Sequence, residues 1–103
     1  MDINRLREYY VSDTVIITRH AAERCRQRGI LARDIKCAVM SGEVIEDYPD
    51  DFPFPSCLIL GKSHDGTPIH VCMSDEGTGG RIITAYIPSL KKWRDDLKTR
   101  KEH

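Results

Sequence analysis

The chain has 103 residues, of which 40% are hydrophobic and 31% are charged, so we expect one globular domain over residues 1–103. No apolar run is long enough to span a bilayer, and no signal-peptide core follows Met1. We therefore expect a cytoplasmic protein with no membrane partner. The net charge is zero, but residues 1–42 carry +3, residues 43–77 carry −7 and residues 78–103 carry +4. If the two basic ends meet, they form a positive surface suited to a polyanion; otherwise they are ordinary solvated faces.

The first third of the chain predicts helices and one short strand. Asp2 can cap a first helix, and residues 15–17 are β-branched, as is typical of a strand. Thr18 can cap a second helix, which Gly29 ends. A third helix is predicted over residues 33–41.

From residue 43 onwards the pattern changes to strands. Prolines and phenylalanines predict a loop at 49–55, Asp65-Gly66 predicts a hairpin turn, and glycines predict a loop at 75–80. The predicted strands are 43–48, 57–62, 69–74 and 81–87. Ser89 can cap a basic C-terminal helix. Its apolar stripe would comprise Leu90, Trp93 and Leu97. We therefore predict an α+β fold in which the N-terminal helices pack on a four-stranded antiparallel sheet, followed by that helix.

Side-chain alternation separates the two faces of the predicted sheet. One face is apolar and should pack against the helices. The other is more polar, and we expect it to be open; it carries His70, Cys72, Ser74, Ile82, Thr84 and Tyr86.

The four cysteines follow none of the usual metal-binding spacings. They are Cys25, Cys37, Cys57 and Cys72, with no C-x-x-C pair. Each lies among apolar residues, so we expect reduced thiols that act as small core side chains. Asp50-Asp51 stands without other ligands at a telling spacing. We therefore predict neither a metal nor a cofactor.

The sharpest candidate site is a ridge on the second helix. His20, Arg24 and Arg28 are spaced four residues apart, which aligns their side chains on one face. Histidine exchanges a proton near neutral pH, and arginines hold phosphate bidentately. Joined by Tyr86 or His70, this set fits metal-free RNA cleavage; alternatively, it is an amphipathic helix whose cations pair with acidic neighbours. Further cations either touch phosphates or keep the last helix soluble: Lys91, Lys92 and Arg94.

The sequence resembles a family of bacterial proteins called domain of unknown function 4258, over about residues 15–97. The motifs that carry the resemblance are His20-Ala…Arg24…Arg28-Gly-Ile30, Asp34-Ile35…Ala38…Gly42-Glu-Val-Ile45…Tyr48, Cys57-Leu58-Ile-Leu-Gly61, Pro68-Ile-His70-Val71 and Thr84-Ala85-Tyr86-Ile-Pro88…Trp93. The family is similar to the RelE-like group of compact nucleases, which includes toxins such as RelE and BrnT. The resemblance implies endoribonuclease activity and a cognate antitoxin, of the zinc-finger type that resembles the partner of MqsR. The matching positions are His20, Arg24, Arg28, His70, Thr84 and Tyr86.

Three functional hypotheses follow. The leading one is a metal-independent endoribonuclease in which Arg24 and Arg28 bind the scissile phosphate and His20 works with Tyr86 or His70 as acid and base. The first alternative is a catalytically inactive RelE-like module that binds RNA or a protein. The second is a protein-interaction domain that uses the acidic loop at 49–55 with its two phenylalanines.

Overall fold

Apart from the C-terminal helix, the predicted elements appear at, or within two residues of, their expected limits in a computed structural model, which describes residues 1–102. The helices are α1 (Ile3–Val11), α2 (Arg19–Gln27) and α3 (Ala32–Ser41). The strands are β1 (Val15–Ile17), β2 (Glu43–Tyr48), β3 (Ser56–Lys62), β4 (Pro68–Asp75) and β5 (Gly80–Tyr86). The α+β class predicted from the sequence is confirmed.

The helix limits follow from local hydrogen bonds. The Asp2 side chain accepts from the Asn4 backbone at 2.9 Å, and the Thr18 hydroxyl accepts from the Ala21 backbone at 3.1 Å. Each satisfies an N–H group that the first turn of a helix leaves without a partner. Gly29 follows α2 with φ +77, a conformation that favours glycine at the end of a helix.

The sheet has five strands in the order β1-β5-β4-β3-β2. Strands β2 to β5 run antiparallel in chain order, as predicted. The prediction of a purely antiparallel, four-stranded sheet is wrong, because β1 pairs in parallel with residues 80–82 of β5. The β-branched residues of β1 indicated a strand, but such a local preference does not name a partner more than 60 positions away.

The core lies between the helices and one face of the sheet. Ile35 and Val39 of α3 pack there with Ile59 and Val71 of the central strands, all buried. Helix α3 approaches β3 closely at Gly61, where an added Cβ would lie 2.1 Å from the Ala38 carbonyl oxygen. Four free thiols are present, as predicted: Cys25 and Cys57 are buried, and Cys37 and Cys72 are partly buried. Burial raises the pKa of Cys57 to about 12.

A β-bulge corrects the predicted faces of β5. Cys72 pairs with Thr84 but Met73 pairs with Ile82, so Ile83 is the extra residue. Ile82 is consequently buried in the helix-side core, whereas Ile83 is 42% exposed. The prediction that Ile82 lies on the open face is therefore wrong, because strict alternation fails across a bulge.

The predicted C-terminal helix is also wrong. Residues 88–101, which we call the C-terminal segment, form turns that end in an antiparallel bridge between Trp93 and Arg100. Asp96 accepts from the backbones of Lys98 and Thr99, and Leu97 adopts φ +60. An aspartate that bonds nearby backbone groups competes with helical hydrogen bonds, and a positive φ ends a right-handed helix.

None of the helices in residues 1–102 has the length and apolar character needed to cross a bilayer.

Candidate functional site

The C-terminal segment covers part of the face that we expected to be open. Trp93 and Leu58 are 2% and 3% exposed, yet both lie outside the helix-side core. The Trp93 ring stands edge-on to the His70 ring, with centroids 4.5 Å apart. The segment therefore packs Trp93 against the far side of the sheet.

Charge pairs fasten the C-terminal segment to β2. Arg100 binds the Glu46 carboxylate through two nitrogens, at 2.8 and 2.9 Å, and Lys98 lies 2.7 Å from Glu43. The Arg100 guanidinium also stacks over the Trp93 ring at 4.6 Å and holds the pKa of Glu46 below its ordinary value. Part of the basic C-terminal charge is thus neutralised by the acidic central segment. It does not simply add to the basic N-terminal charge.

His70 lies beneath this cover. It is 0% exposed, and both ring nitrogens are engaged. Nδ1 is 3.2 Å from the Tyr86 hydroxyl, and Nε2 is 2.7 Å from the Leu97 carbonyl oxygen. Burial lowers the pKa of His70 from 6.5, although the Leu97 carbonyl and the charge of Glu46 act in the opposite direction. His70 can therefore exchange a proton with a ligand only through the Tyr86 hydroxyl.

Tyr86 and Thr84 belong to the part of this face that the C-terminal segment leaves accessible. They are two residues apart on β5 and pair with His70 and Cys72 of β4. Tyr86 is half-buried, and burial raises the pKa of its phenol. The Thr84 hydroxyl lies 3.1 Å from Nη1 of Arg28. Through Thr84 and Tyr86, the Arg28 guanidinium and the Tyr86–His70 pair thus lie along the same face of β5.

Helix α2 lies against the edge of β5, and Arg28 follows directly after its last residue. Strand β1 pairs with β5 only as far as Ile82, which leaves the next carbonyls of that edge without a strand partner. The Ala85 carbonyl accepts from Nη1 of Arg28 at 2.8 Å and from the thiol of Cys25 at 3.9 Å. Both bonds of Arg28 use Nη1, and its Nε and Nη2 bond no other described residue. Those N–H groups remain available to an anion.

The other cations that the sequence predicted for the site do not lie beside Arg28 and Tyr86. His20 and Arg24 are exposed on α2, and no side-chain hydrogen bond or ion pair links either to another residue of the described part. His20 precedes Arg28 by eight positions, which is about 12 Å along a helix axis. Lys91, Lys92 and Arg94 are exposed on the C-terminal segment, without ion pairs to residues 1–102. The structure therefore brings together Arg28, Thr84, Tyr86 and His70, and leaves the others apart.

A cavity lies beside β5 at Ile83, the residue that precedes Thr84. It has a volume of about 340 Å³ and is lined by Phe54 and Pro53 of the proline-rich loop, by Ile83, and by the polar groups of Ser74, Glu76 and Arg81. Phe54 is 38% exposed and Phe52 is 92% exposed. Within the described residues, no group of three or more His, Cys, Asp or Glu side chains could hold a metal ion.

Sequence reasoning missed the residues that enclose His70. The Leu97 carbonyl is a backbone group and carries no residue signal, and Trp93 was assigned to the stripe of a helix. The pairing of Glu46 with Arg100 joins positions 54 apart. The opposite charges of the two segments were visible in the sequence, and they could have indicated that the segments meet.

The fold and the site define an α+β domain with a mixed sheet and a cationic edge beside a tyrosine–histidine pair. Residues 17–87 match the family described as Domain of unknown function (DUF4258). The chain belongs to this family. No curated protein and no solved structure matches it.

Proposed function

We propose that the protein is a metal-independent endoribonuclease of the toxin type, with a RelE-like fold. One observation carries the proposal. The Arg28 guanidinium bonds Thr84, and the Tyr86 hydroxyl bonds His70, on the same face of one strand. An anion-binding group and a proton-exchanging group thus stand side by side, as cleavage of an RNA phosphodiester requires.

In this reaction the ribose 2′-hydroxyl attacks the adjacent phosphate. Arg28 would bind the phosphate oxygens through Nε and Nη2 and stabilise the charge that grows in the phosphorane. The Thr84 hydroxyl accepts from Nη1 and so fixes the position of the guanidinium. Tyr86 is a neutral phenol at neutral pH, because burial raises its pKa further from 10. It would exchange a proton with the reacting oxygen.

Neighbouring parts of the surface suit the rest of a single strand of RNA. Arg24 and His20 continue the line of cations along α2, where they would meet further phosphates. On the other side of Thr84, the cavity beside Phe54 offers an aromatic ring and apolar walls against which a base can stack. These roles are part of the proposal, as is the cytoplasmic location that an RNA substrate entails.

A cleavage assay in EDTA tests the proposal. A labelled single-stranded RNA is incubated with the wild-type chain and with Arg28→Ala and Tyr86→Phe, each checked for folding by circular dichroism. We expect wild-type cleavage and a loss of about 10²-fold or more in each variant. The matched control is Arg26→Ala, an exposed arginine of the same helix that pairs with Glu23. A wild type that leaves RNA intact, or an Arg28→Ala variant equal to the control, would contradict the proposal.

We also propose a cognate antitoxin, of zinc-finger type, that neutralises the protein by covering Arg28 and Tyr86. The exposed guanidinium and the half-buried phenol favour an acidic or polar contact there. The product of a small neighbouring gene should bind the wild-type chain and block cleavage, and Arg28→Ala should weaken binding. Unchanged binding by that variant would place the partner elsewhere.

The first alternative is an RNA-binding module without activity. It is favoured by the enclosure of His70 and by the eight positions that separate His20 from Arg28, which leave no free imidazole beside Arg28. The alternative predicts that RNA binding weakens as salt rises, with no product formed.

The second alternative is a protein-interaction domain, and Phe52 favours it. This side chain is 92% exposed and follows two aspartates in the loop. An exposed aromatic beside acidic residues suits a basic partner. Binding of such a partner should be lost in Phe52→Ser and kept in Arg28→Ala.

A further inference from the structure

The direction of the hydrogen bond between Tyr86 and His70 follows from the other bond of the imidazole. The Leu97 carbonyl oxygen lies 2.7 Å from Nε2, and a carbonyl oxygen only accepts. Nε2 must therefore carry a proton. Burial favours the neutral ring, since it lowers the pKa of His70 below 6.5. In the neutral ring Nδ1 has a lone pair, so the Tyr86 hydroxyl, 3.2 Å away, donates to it.

We infer that Tyr86 is a proton relay, whose hydroxyl takes the proton of the attacking ribose 2′-hydroxyl while it passes its own proton to Nδ1 of His70. This inference rests on the proposed function. The phenol donates its only proton to Nδ1, so its oxygen keeps lone pairs that can only accept. A hydroxyl in that state accepts a proton from an approaching group; it does not donate one. The buried imidazole is then the base that the reaction uses, although it never touches RNA.

The atoms of the step balance as follows. The 2′-oxygen forms a bond to phosphorus, and the bond between phosphorus and the 5′-oxygen breaks. The 2′-hydroxyl proton moves to Tyr86 as the phenol proton moves to His70, which becomes an imidazolium. The leaving 5′-oxygen takes a proton from water. The products are a 2′,3′-cyclic phosphate and a 5′-hydroxyl. The imidazolium afterwards returns its proton through Tyr86 to the hydroxide formed from water.

The C-terminal segment is part of this proton relay, because it supplies the Leu97 carbonyl that sets the tautomer of His70. Leu97 is a positioning residue that acts through His70. Three charged or titratable groups of the surrounding elements influence the imidazole or the phenol: Glu46 of β2, Arg100 of the segment and Cys72 of β4. Glu46 favours the imidazolium and Arg100 opposes it, but the two bind each other and partly cancel. Burial therefore dominates, and the ring is ready to accept a proton at neutral pH.

The first test needs no activity and no variant. Nitrogen-15 NMR of the ring distinguishes the two neutral tautomers of His70 by their chemical shifts. We expect a protonated Nε2, a hydrogen-bonded unprotonated Nδ1, and titration below pH 6.5. A proton on Nδ1 in the neutral ring would overturn the relay, whatever the protein does to RNA.

The second test follows single-turnover cleavage of RNA in EDTA across pH. The wild-type rate should rise with pH through the pKa measured for His70 and level off above it. Tyr86→Phe and His70→Asn should each lose about 10²-fold or more, and they should lose that titration. Asparagine keeps an oxygen near the position of Nδ1 but takes no proton. Tyr10→Phe is the matched control, a partly buried tyrosine of α1 whose pKa burial raises to about 12.

The outcomes separate the two proposals. Cleavage that Arg28→Ala abolishes, but that either relay variant retains with the wild-type pH profile, overturns the relay and leaves the proposed function standing. A wild-type chain that cleaves no RNA overturns both. If His70→Asn fails the folding check by circular dichroism, Tyr86→Phe carries the comparison, since it removes one oxygen atom and no ring contact.

Discussion

Truncation of Trp93 tests how firmly the C-terminal segment covers the sheet. The ring is 2% exposed and contacts His70 at its edge and Arg100 on its face. A buried aromatic side chain removes roughly 150–250 Å² from water, which corresponds to about 4–6 kcal/mol at 25 cal/mol per Å². Measured costs of replacing a buried tryptophan by alanine are about 3–5 kcal/mol. We therefore expect Trp93→Ala to lower the free energy of unfolding by about 3–5 kcal/mol.

The same substitution should change the acid–base behaviour of His70. Burial is the main cause of its lowered pKa, so opening the cover should raise the pKa towards 6.5. Urea denaturation followed by circular dichroism measures stability, because the chain has one tryptophan and the variant loses its fluorescence signal. NMR titration of the imidazole measures the pKa.

The control is Leu90→Ala, on the same segment but 56% exposed, which should change stability by less than about 0.5 kcal/mol. Trp93→Phe should lose less than Trp93→Ala, and it remains measurable if the larger truncation unfolds the chain. A loss below about 1 kcal/mol in Trp93→Ala, with the pKa of His70 unchanged, would refute the assignment of this segment as the cover of the site.

Three further predictions concern the scaffold. Gly61→Ala places a Cβ 2.1 Å from the Ala38 carbonyl oxygen, and this backbone atom cannot rotate away. The substitution should lower the free energy of unfolding, measured by urea denaturation, by about 1–3 kcal/mol or more. Thr18→Ala removes the cap that the Ala21 N–H uses and should cost about 1 kcal/mol in the same assay. The free energy of unfolding should fall as pH drops below 6.5, because the unfolded chain binds a proton at His70 more tightly than the folded chain does. Urea denaturation between about pH 7.5 and pH 5.5 measures this fall, which should be smaller in His70→Asn.

Each scaffold prediction has a result that opposes it. A neutral Gly61→Ala would mean that α3 does not approach β3 as closely as the structure indicates. Thr78→Ala, at an exposed loop position, is the control for Thr18→Ala, and equal effects would remove the capping argument. A pH dependence identical in His70→Asn would show that other groups cause it.

Much of the scaffold could be predicted from the sequence because its signals are local. Caps at Asp2 and Thr18 and the glycine after α2 acted as expected. The Asp65-Gly66 turn joins β3 to β4, and Gly66 adopts φ +90. In each case a side chain or a missing Cβ acts on backbone within a few residues, so the local sequence is enough to predict the cap or the turn.

The rest could not be predicted because it depends on distant partners. The apolar spacing of Leu90, Trp93 and Leu97 suits a helix, but Trp93 gains more from burial against His70. The bulge at Ile83 depends on how β5 registers with β4. Of the predicted site, Arg28, Thr84, Tyr86 and His70 come together, because α2 fills the edge of β5 that the short β1 leaves open.

The central claim is that this surface cleaves RNA by attack of the ribose 2′-hydroxyl without a metal. The most direct measurement is end-group analysis of RNA products formed in EDTA, with a second RNA that carries 2′-deoxyribose at the cleaved position. We predict a 2′,3′-cyclic phosphate, a 5′-hydroxyl and no cleavage at the deoxyribose. Intact RNA, products with a 5′-phosphate, or cleavage beside the deoxyribose would contradict the claim.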